Sequence, residues 1–175
     1  PEPGAPYWAP LPQRSFTREV GADPGRLRIA FNTAASTGVT VHPDCIEAVQ
    51  DAARLCTELG HHVEAAAPEI QSEIVEPALG LVLSAGCAAT IRWFAGLTGR
   101  EPDQEHFEPA TWMLYETGMS CSAIDYWTAL TTLQMAARQI AKFFTEYDLY
   151  LIPTVTEPPV PLGTFASREN PWEGL

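Results

Sequence analysis

The side chains that could do chemistry in this 175-residue chain are few and scattered. Ser84 is the nearest approach to a nucleophile on a tight turn. Its surroundings, "GLVLSAG", lack the G-x-S-x-G spacing of α/β hydrolases and predict packing in mid-helix. Lys142 is the only lysine. It lies two positions, about 200° around the helix, from the inner stripe, which predicts that it faces solvent. We therefore predict no catalytic residue within this chain.

The histidines and cysteines do not have the spacing of a metal site or a redox motif. The cysteines include no C-x-x-C pair. We therefore predict that they are reduced thiols and that the protein is cytoplasmic. The loop after the first predicted strand, "NTAASTGVTVHPD", carries one glycine where nucleotide-binding folds carry three. We predict no metal and no cofactor. The residues concerned are His42, His61, His62, His106, Cys45, Cys56, Cys87 and Cys121. His42, which precedes Pro43, is predicted to cap a helix.

The composition limits the class of partner. With 46% hydrophobic residues the chain can bury a core, and its length fits one domain. A formal net charge of -12 disfavours nucleic acid and anionic lipid surfaces as partners. Residues 78–91 carry no charge, but they fall short of the roughly 20 residues that a membrane span needs. A buried core helix is the prediction for this stretch.

Three parallel strands are predicted, at about 26–33, 61–66 and 148–153. Between the first two, the segment from Pro43 has the signals of a helix: a proline at its first position, acids in its first turn and Gly60 after its end. This unit should be parallel and right-handed. The apolar stripe of the helix is Cys45, Val49, Ala52, Cys56 and Leu59.

The middle of the chain is predicted to be helical. A core helix over 72–97 is followed by a short helix at "ATWMLYETG" and by a long one whose Ser122 and Asp125 have capping-box spacing. The inner stripe of the long helix is Leu130, Leu133, Ala137, Ile140 and Phe144. Aromatic residues concentrate in these helices, which fits either a plain core or an apolar ligand pocket.

The closing stretch, "SAIDYWTALTTLQMAARQIAKFFTEYDLYLIPTVTEPPVPLG", resembles the C-terminal part of amidase-signature enzymes. "RLRIAFNT" and "ELGHHVE" resemble the segment after their signature region, and "EPATWMLYETG" is similar to amidases related to 6-aminohexanoate cyclic dimer hydrolases. The resemblance implies an α/β fold, part of an α/β/α sandwich around a mixed sheet. We expect a proline-rich arm over 1–25 and a partial amidase-type domain over 26–175, with a helical pocket segment at about 72–146.

The family's Gly-Ser-Ser-Gly-Gly-like loop does not occur in this sequence, nor does its upstream catalytic lysine. These two absences, together with the missing initiator methionine, predict that the sequence is a fragment and that it is inactive alone. The resemblance implies that the parent cleaves linear or cyclic carboxamides through a serine acyl-enzyme. It also implies that this part supplies scaffold and pocket. The partner is then a small-molecule amide, and a homodimer stays open. The substrate-binding residues expected are Trp93, Phe94, Trp112, Tyr115 and Met119.

Two other interpretations remain from the sequence. A non-catalytic α/β binding or assembly domain would also lack catalytic residues. An amidotransferase subunit would share the fold and require a stable complex with a second chain that supplies ammonia.

Overall fold

The computed structural model describes residues 11–162. The described residues form a three-stranded sheet and a set of α-helices. In chain order the elements are α1 (Phe16–Glu19), β1 (Arg28–Phe31), α2 (Pro43–Glu58), β2 (His62–Ala65), α3 (Ser72–Thr98), α4 (Pro109–Ser120), α5 (Ala123–Phe143) and β3 (Leu149–Leu151), with a 3-10 turn at Gln104–His106. Residues 1–10 of the predicted arm and 163–175 of the predicted domain lie outside the described residues; residues 11–25 hold the short helix α1.

The sheet confirms the predicted α/β class. Its strand order is β2, β1, β3, and both ladders are parallel, with Ile29 opposite Val63 on one side and Leu149 on the other. Each strand is shorter than predicted, because the ladder ends where the chain turns away. Ile29 and Ala30 on the central strand are buried. The described ladders contain no antiparallel pair, so the mixed character expected of a complete sheet is not seen in residues 11–162.

Arg28 and Asp148 join the amino ends of β1 and β3. The Asp148 carboxylate accepts hydrogen bonds from the Arg28 backbone N–H at 2.8 Å and from its Nη2 at 3.2 Å. The Asp148 N–H in turn donates to the Arg28 carbonyl at 2.8 Å. The side-chain bond from Arg28, followed by the backbone bond, lowers the pKa of Asp148 below its ordinary value. Asp148 therefore fixes where the two strands pair.

We expect Asp148→Asn to lower the melting temperature at pH 7, because the charged acceptor of both Arg28 donors is lost. Since the folded-state pKa of Asp148 is depressed, its stabilisation is present above the unfolded pKa of about 3.9. It disappears as the pH falls through the lower folded value. Thermal melts from pH 7 to pH 2 should show the difference between wild type and variant shrinking in acid. A difference independent of pH would contradict this, and Glu47→Gln on α2 controls for net charge.

Helix α2 begins and ends through local hydrogen bonds that the sequence indicates. His42 accepts from the Asp44 N–H at 3.2 Å, as predicted for a cap. At the other end Gly60 has φ +92°, and its N–H donates to the Thr57 carbonyl while the His61 N–H donates to the Cys56 carbonyl. These two bonds form a Schellman motif. The boundaries of α2 are thus set within its own residues.

The predicted inner stripe of α2 is correct except at its end. Val49 is buried, and Cys45, Ala52 and Cys56 are half-buried. The prediction that Leu59 belongs to the stripe is wrong, because this residue is 67% exposed. It is the C-cap residue, where the backbone leaves the helix and the periodicity no longer sets the side-chain direction.

Helix α3 packs against α4 and α5 on one side only. Its contact face contains Ala78, Ser84 and Ala88, all buried. The prediction of a buried core helix is therefore wrong for this chain, because only 22% of the most apolar window of α3 is buried. By length and composition alone α3 could cross a membrane. One such helix is weak evidence, since core helices of soluble proteins pass the same test.

Helix α5 begins with the predicted capping box. The Asp125 N–H donates to Ser122 Oγ at 3.1 Å, and the Ser122 N–H donates to the Asp125 carboxylate at 3.2 Å. Of the predicted inner stripe, Leu130, Leu133 and Ile140 are half-buried, whereas Ala137 and Phe144 are exposed. Those two were wrong, and Phe144 is the C-cap residue of α5, where the helical periodicity no longer sets the side-chain direction.

Candidate functional site

At the carboxyl edge of the parallel sheet, where ligands usually bind in open α/β sheets, a cavity of about 300 Å³ lies between α2 and the end of β3, and two hydrogen bonds hold the loops at this edge. The His42 N–H donates to the Thr156 carbonyl at 2.8 Å, which ties the start of α2 to the loop after β3. Ser72 Oγ donates to the Ser36 carbonyl at 2.7 Å, which ties the loop after β1 to the start of α3. These bonds hold the loops in place, and the Ser72 hydroxyl in the second of them donates to a backbone carbonyl.

The residues considered above as catalytic candidates do not lie in a catalytic arrangement. Ser84 is buried in α3, at the contact with α4. Lys142 is exposed near the end of α5. The four cysteines are free thiols. Cys87 Sγ lies 3.8 Å from the Thr111 carbonyl and donates across the contact between α3 and α4. Across residues 11–162, no group of three or more His, Cys, Asp and Glu side chains is placed to hold a metal ion.

A groove of about 360 Å³ lies at the carboxyl end of α3, and we call it the α3 groove. One side is formed by successive turns of α3, and the other by the connection to α4. Apolar side chains predominate on its walls, and charged groups stand at its edge. The lining residues are Ile91, Phe94, Ala95, Thr98, Arg100, Glu101, Pro102, Asp103, His106 and Phe107. Its size and apolar walls are typical of small-ligand sites.

A row of aromatic rings continues from the α3 groove along α4. The centroids of Phe107 and Trp112 are 6.0 Å apart, and those of Trp112 and Tyr115 are 4.9 Å apart. Glu108 is the N-cap of α4, so Phe107 precedes the cap and Trp112 is the fourth helical residue. Contact between these two positions is a hydrophobic staple. The staple fixes the angle at which the connection enters α4 and places Phe107 on the groove wall.

Arg92 holds the same connection to α3 by charge. Its Nη1 donates to Glu101 Oε2 at 2.9 Å. The hydrogen bond from Glu101, with a smaller contribution from Tyr115, raises the pKa of the Arg92 guanidinium above its ordinary value. Arg92 thus links the edge of the groove with the aromatic row. Both groups are largely exposed, so the pair orients the loop more than it stabilises the fold.

Of the five residues predicted to bind substrate, three lie in or beside the α3 groove and two do not. Phe94 lines the α3 groove, and Trp112 and Tyr115 adjoin it through Phe107. Trp93 and Met119 are 61% and 55% exposed and do not line the groove. Sequence reasoning missed Phe107, which lies in a polar connection. The staple spacing to Trp112, together with Pro109 at the first helical position, was the signal that could have found it.

Comparison with known proteins identifies the family of this chain. The family model "Amidase" matches residues 1–173. The chain belongs to the amidase family. The chain is 28% identical over 168 residues to a Synechocystis sp. protein named "Putative amidase", a match that covers 96% of this chain. It is 24% identical over 144 residues to the lipoamidase of Enterococcus faecalis, covering 82% of this chain.

Solved structures support the same fold. A structure of 6-aminohexanoate cyclic dimer hydrolase has a TM-score of 0.79, 24% identity and 93% coverage of the chain. The substrate complex of that hydrolase has a TM-score of 0.81, 23% identity and 99% coverage. A bacterial aryl acylamidase of the amidase signature family has a TM-score of 0.66, 18% identity and 77% coverage. The predicted α/β class and the predicted family are both confirmed.

The matched part is about one third of each related protein or less. The chain spans 30% of the Synechocystis protein and 19% of the lipoamidase. It spans 34% and 37% of the two hydrolase chains. The remaining part of an amidase fold in those proteins therefore lies outside the segment that this chain matches.

Proposed function

We propose that this chain is the substrate-side part of an amidase that hydrolyses carboxamides. The observation that carries the proposal is the α3 groove with its aromatic row, found in a chain of the amidase family. Apolar walls without hydrogen-bond demands suit a methylene-rich or aromatic acyl group better than a polar one. Phe94 and Phe107 are the residues we assign to that wall, and Trp112 supports it through its ring contact with Phe107.

The chemistry would be supplied from outside residues 1–175. A serine nucleophile, activated by a second serine and a lysine, would attack the amide carbonyl. The resulting acyl-enzyme would then be hydrolysed by water. Backbone amides would hold the oxyanion. This chain would contribute the sheet and the helices that position the acyl group, and alone it would not turn over substrate.

The supports for the α3 groove suit this role. Phe107 is held by the staple to Trp112, and the connection carrying it is held by the pair of Arg92 with Glu101. A wall fixed at both ends keeps its shape before substrate arrives, which favours orientation of the reacting group. Trp93 and Met119 stay in the proposal as residues that could meet substrate only where other parts of the fold extend the groove.

We expect Trp112→Ala, made in the full reading frame, to lower kcat/KM for amides with a long or aromatic acyl group. The expected loss is roughly 1–3 kcal/mol, with a much smaller effect on a short acyl amide. The reason is that the truncation removes the ring that supports Phe107 in the groove wall, and only the larger acyl group contacts that wall. The measurement is kcat/KM for hexanoyl, benzoyl and acetyl anilides, with the melting temperature alongside.

Trp127→Ala is the matched control, since Trp127 is an exposed tryptophan of α5 that belongs neither to the groove lining nor to the aromatic row beside it. A uniform loss on all amides with a large fall in melting temperature would return Trp112 to the core. Residues 1–175 assayed alone should show no turnover. Turnover abolished by mutating one of their own serines would contradict the proposed division of labour. Absence of turnover from the full reading frame would favour the non-catalytic binding domain.

A further inference from the structure

Four polar side chains that can carry a charge stand at the edge of the α3 groove, namely Arg100, Glu101, Asp103 and His106. Both carboxylates are engaged close by. Glu101 accepts from Arg92 at 2.9 Å, and Asp103 accepts from the Glu105 N–H at 2.9 Å as the N-cap of the 3-10 turn. Among the groups that are charged at neutral pH, Arg100 alone makes no side-chain hydrogen bond or ion pair within residues 11–162. The edge therefore offers one cation with all its donors available.

Arg100 lies where one wall of the groove gives way to the other. Gly99 is the C-cap of α3 with φ +69°, and its N–H donates to the Ala95 carbonyl at 2.9 Å. This left-handed residue turns the chain out of the helix, so Arg100 is the first residue of the connection that forms the second wall. Phe94 lines the groove before this turn and Pro102 after it. An arginine stem can lie along such apolar surface while its guanidinium stays in water.

We infer that Arg100 binds a carboxylate at the far end of the acyl group, so that the preferred substrates are amides of dicarboxylic acids. The inference rests on the proposed function, which assigns the acyl group to the α3 groove. A guanidinium presents a planar fork of N–H donors that matches the two oxygens of a carboxylate. Apolar walls that end at one free cation select an acyl chain that is apolar along its length and anionic at its end.

The carboxylates at the same edge suit a cationic acyl end less well. An ammonium group would compete with Arg92 for Glu101, and at Asp103 it would meet a carboxylate that already accepts a backbone hydrogen bond. Arg100 at the same edge would repel it. The formal net charge of -12 opposes anionic substrates in general, so the advantage that Arg100 gives a carboxylate is modest.

The test compares anilides in the full reading frame that differ only at the far end of the acyl chain: adipic acid monoanilide, its methyl ester and hexanoyl anilide. We expect kcat/KM to be roughly three- to tenfold higher for the monoanilide than for its ester, as for one exposed charge-assisted contact. Arg100→Gln should abolish this advantage. Arg100→Lys should keep part of it, because the charge remains without the planar fork. The advantage should also shrink as the ionic strength rises from about 0.05 to about 0.5 M.

Arg138→Gln is the matched control, since it removes one exposed arginine of α5 that does not line the groove. Equal kcat/KM for the monoanilide and its ester, or an advantage that survives Arg100→Gln, would overturn the inference. A preference for an anilide with an ω-amino acyl group would do the same. If Arg100 only stabilised the end of α3, Arg100→Gln would lower the melting temperature and reduce kcat/KM for every anilide alike, which also contradicts the inference.

Calorimetric titration with hexanedioate and hexanoate, the acids that hydrolysis would release, separates the inference from the proposed function because it needs no turnover. Tighter binding of hexanedioate, lost in Arg100→Gln and kept in Arg138→Gln, would support the carboxylate site. If the same protein hydrolysed none of the anilides, the proposed function alone would be refuted. Equal affinity for the two acids in a protein that hydrolyses the anilides would overturn the inference and leave the proposed function standing.

Discussion

Gly118→Ala is expected to lower the free energy of unfolding by roughly 3 kcal/mol, at the upper end of the range for overpacked cores. A Cβ at this position would lie 2.1 Å from the carbonyl oxygen of Ser84 and 2.7 Å from the Cβ of Ala88. The first neighbour is helix backbone, which cannot rotate away as a side-chain end could. The two helices would have to separate, and the contacts along their crossing would weaken together.

Gly96→Ala is the matched control, because Gly96 is also helical and a Cβ there meets nothing within 4 Å. Alanine at that site should raise the free energy of unfolding by about 0.5–1 kcal/mol, since glycine is a poor helix former. Urea denaturation of both variants gives the comparison. If both glycines respond alike to alanine, the close approach of α4 to α3 is refuted.

The same crossing positions the proposed substrate wall. Tyr115 lies one turn before Gly118 on α4, and its ring contacts Trp112, which contacts Phe107 on the α3 groove. The other side of the groove belongs to α3 itself, through Phe94. Gly118, which allows the two helices to touch, therefore lies on the same helix as two rings of the row that adjoins the groove.

Local signals explain why so much of the fold was predictable. The caps of α2 and α5 depend on hydrogen bonds between residues two to five positions apart, so His42, Gly60 and the Ser122 box can be recognised without tertiary information. The strands followed from apolar runs bounded by turns. Pairing them in parallel followed from the helix between the first two.

Apart from Leu59 and Phe144, which are helix C-caps, what failed depended on neighbours distant in sequence. The apolar character of α3 was evident from the sequence, but the elements that pack against it were not. A helix with one solvent-exposed face was therefore predicted to be buried. Gly118 gave no signal, because a helical glycine looks like a weak position until the opposing backbone is known. The α3 groove needed the position of Phe107, which a local rule could supply. Its other wall needed the tertiary fold.

Val49→Asp is expected to lower the free energy of unfolding by roughly 3–4 kcal/mol, because a carboxylate would be buried without a partner. Val49 is 5% exposed and lies in the middle of the inner stripe of α2, with Cys45 and Ala52 beside it. Urea denaturation at pH 7 measures the loss. A second series at pH 4 should show a smaller loss, since the introduced acid can be buried more easily when protonated.

Leu59→Asp separates this effect from the cost of adding an acid to α2. Leu59 has the spacing of the same stripe, yet it is exposed at the C-cap. An acid there meets only the negative end of the helix dipole, which should cost no more than about 1 kcal/mol. Equal losses at positions 49 and 59 would mean that periodicity, which places both residues inside, describes α2 better than the structure does. A large loss at position 49 alone would show that the stripe ends at Cys56, where the Schellman motif turns the chain into β2.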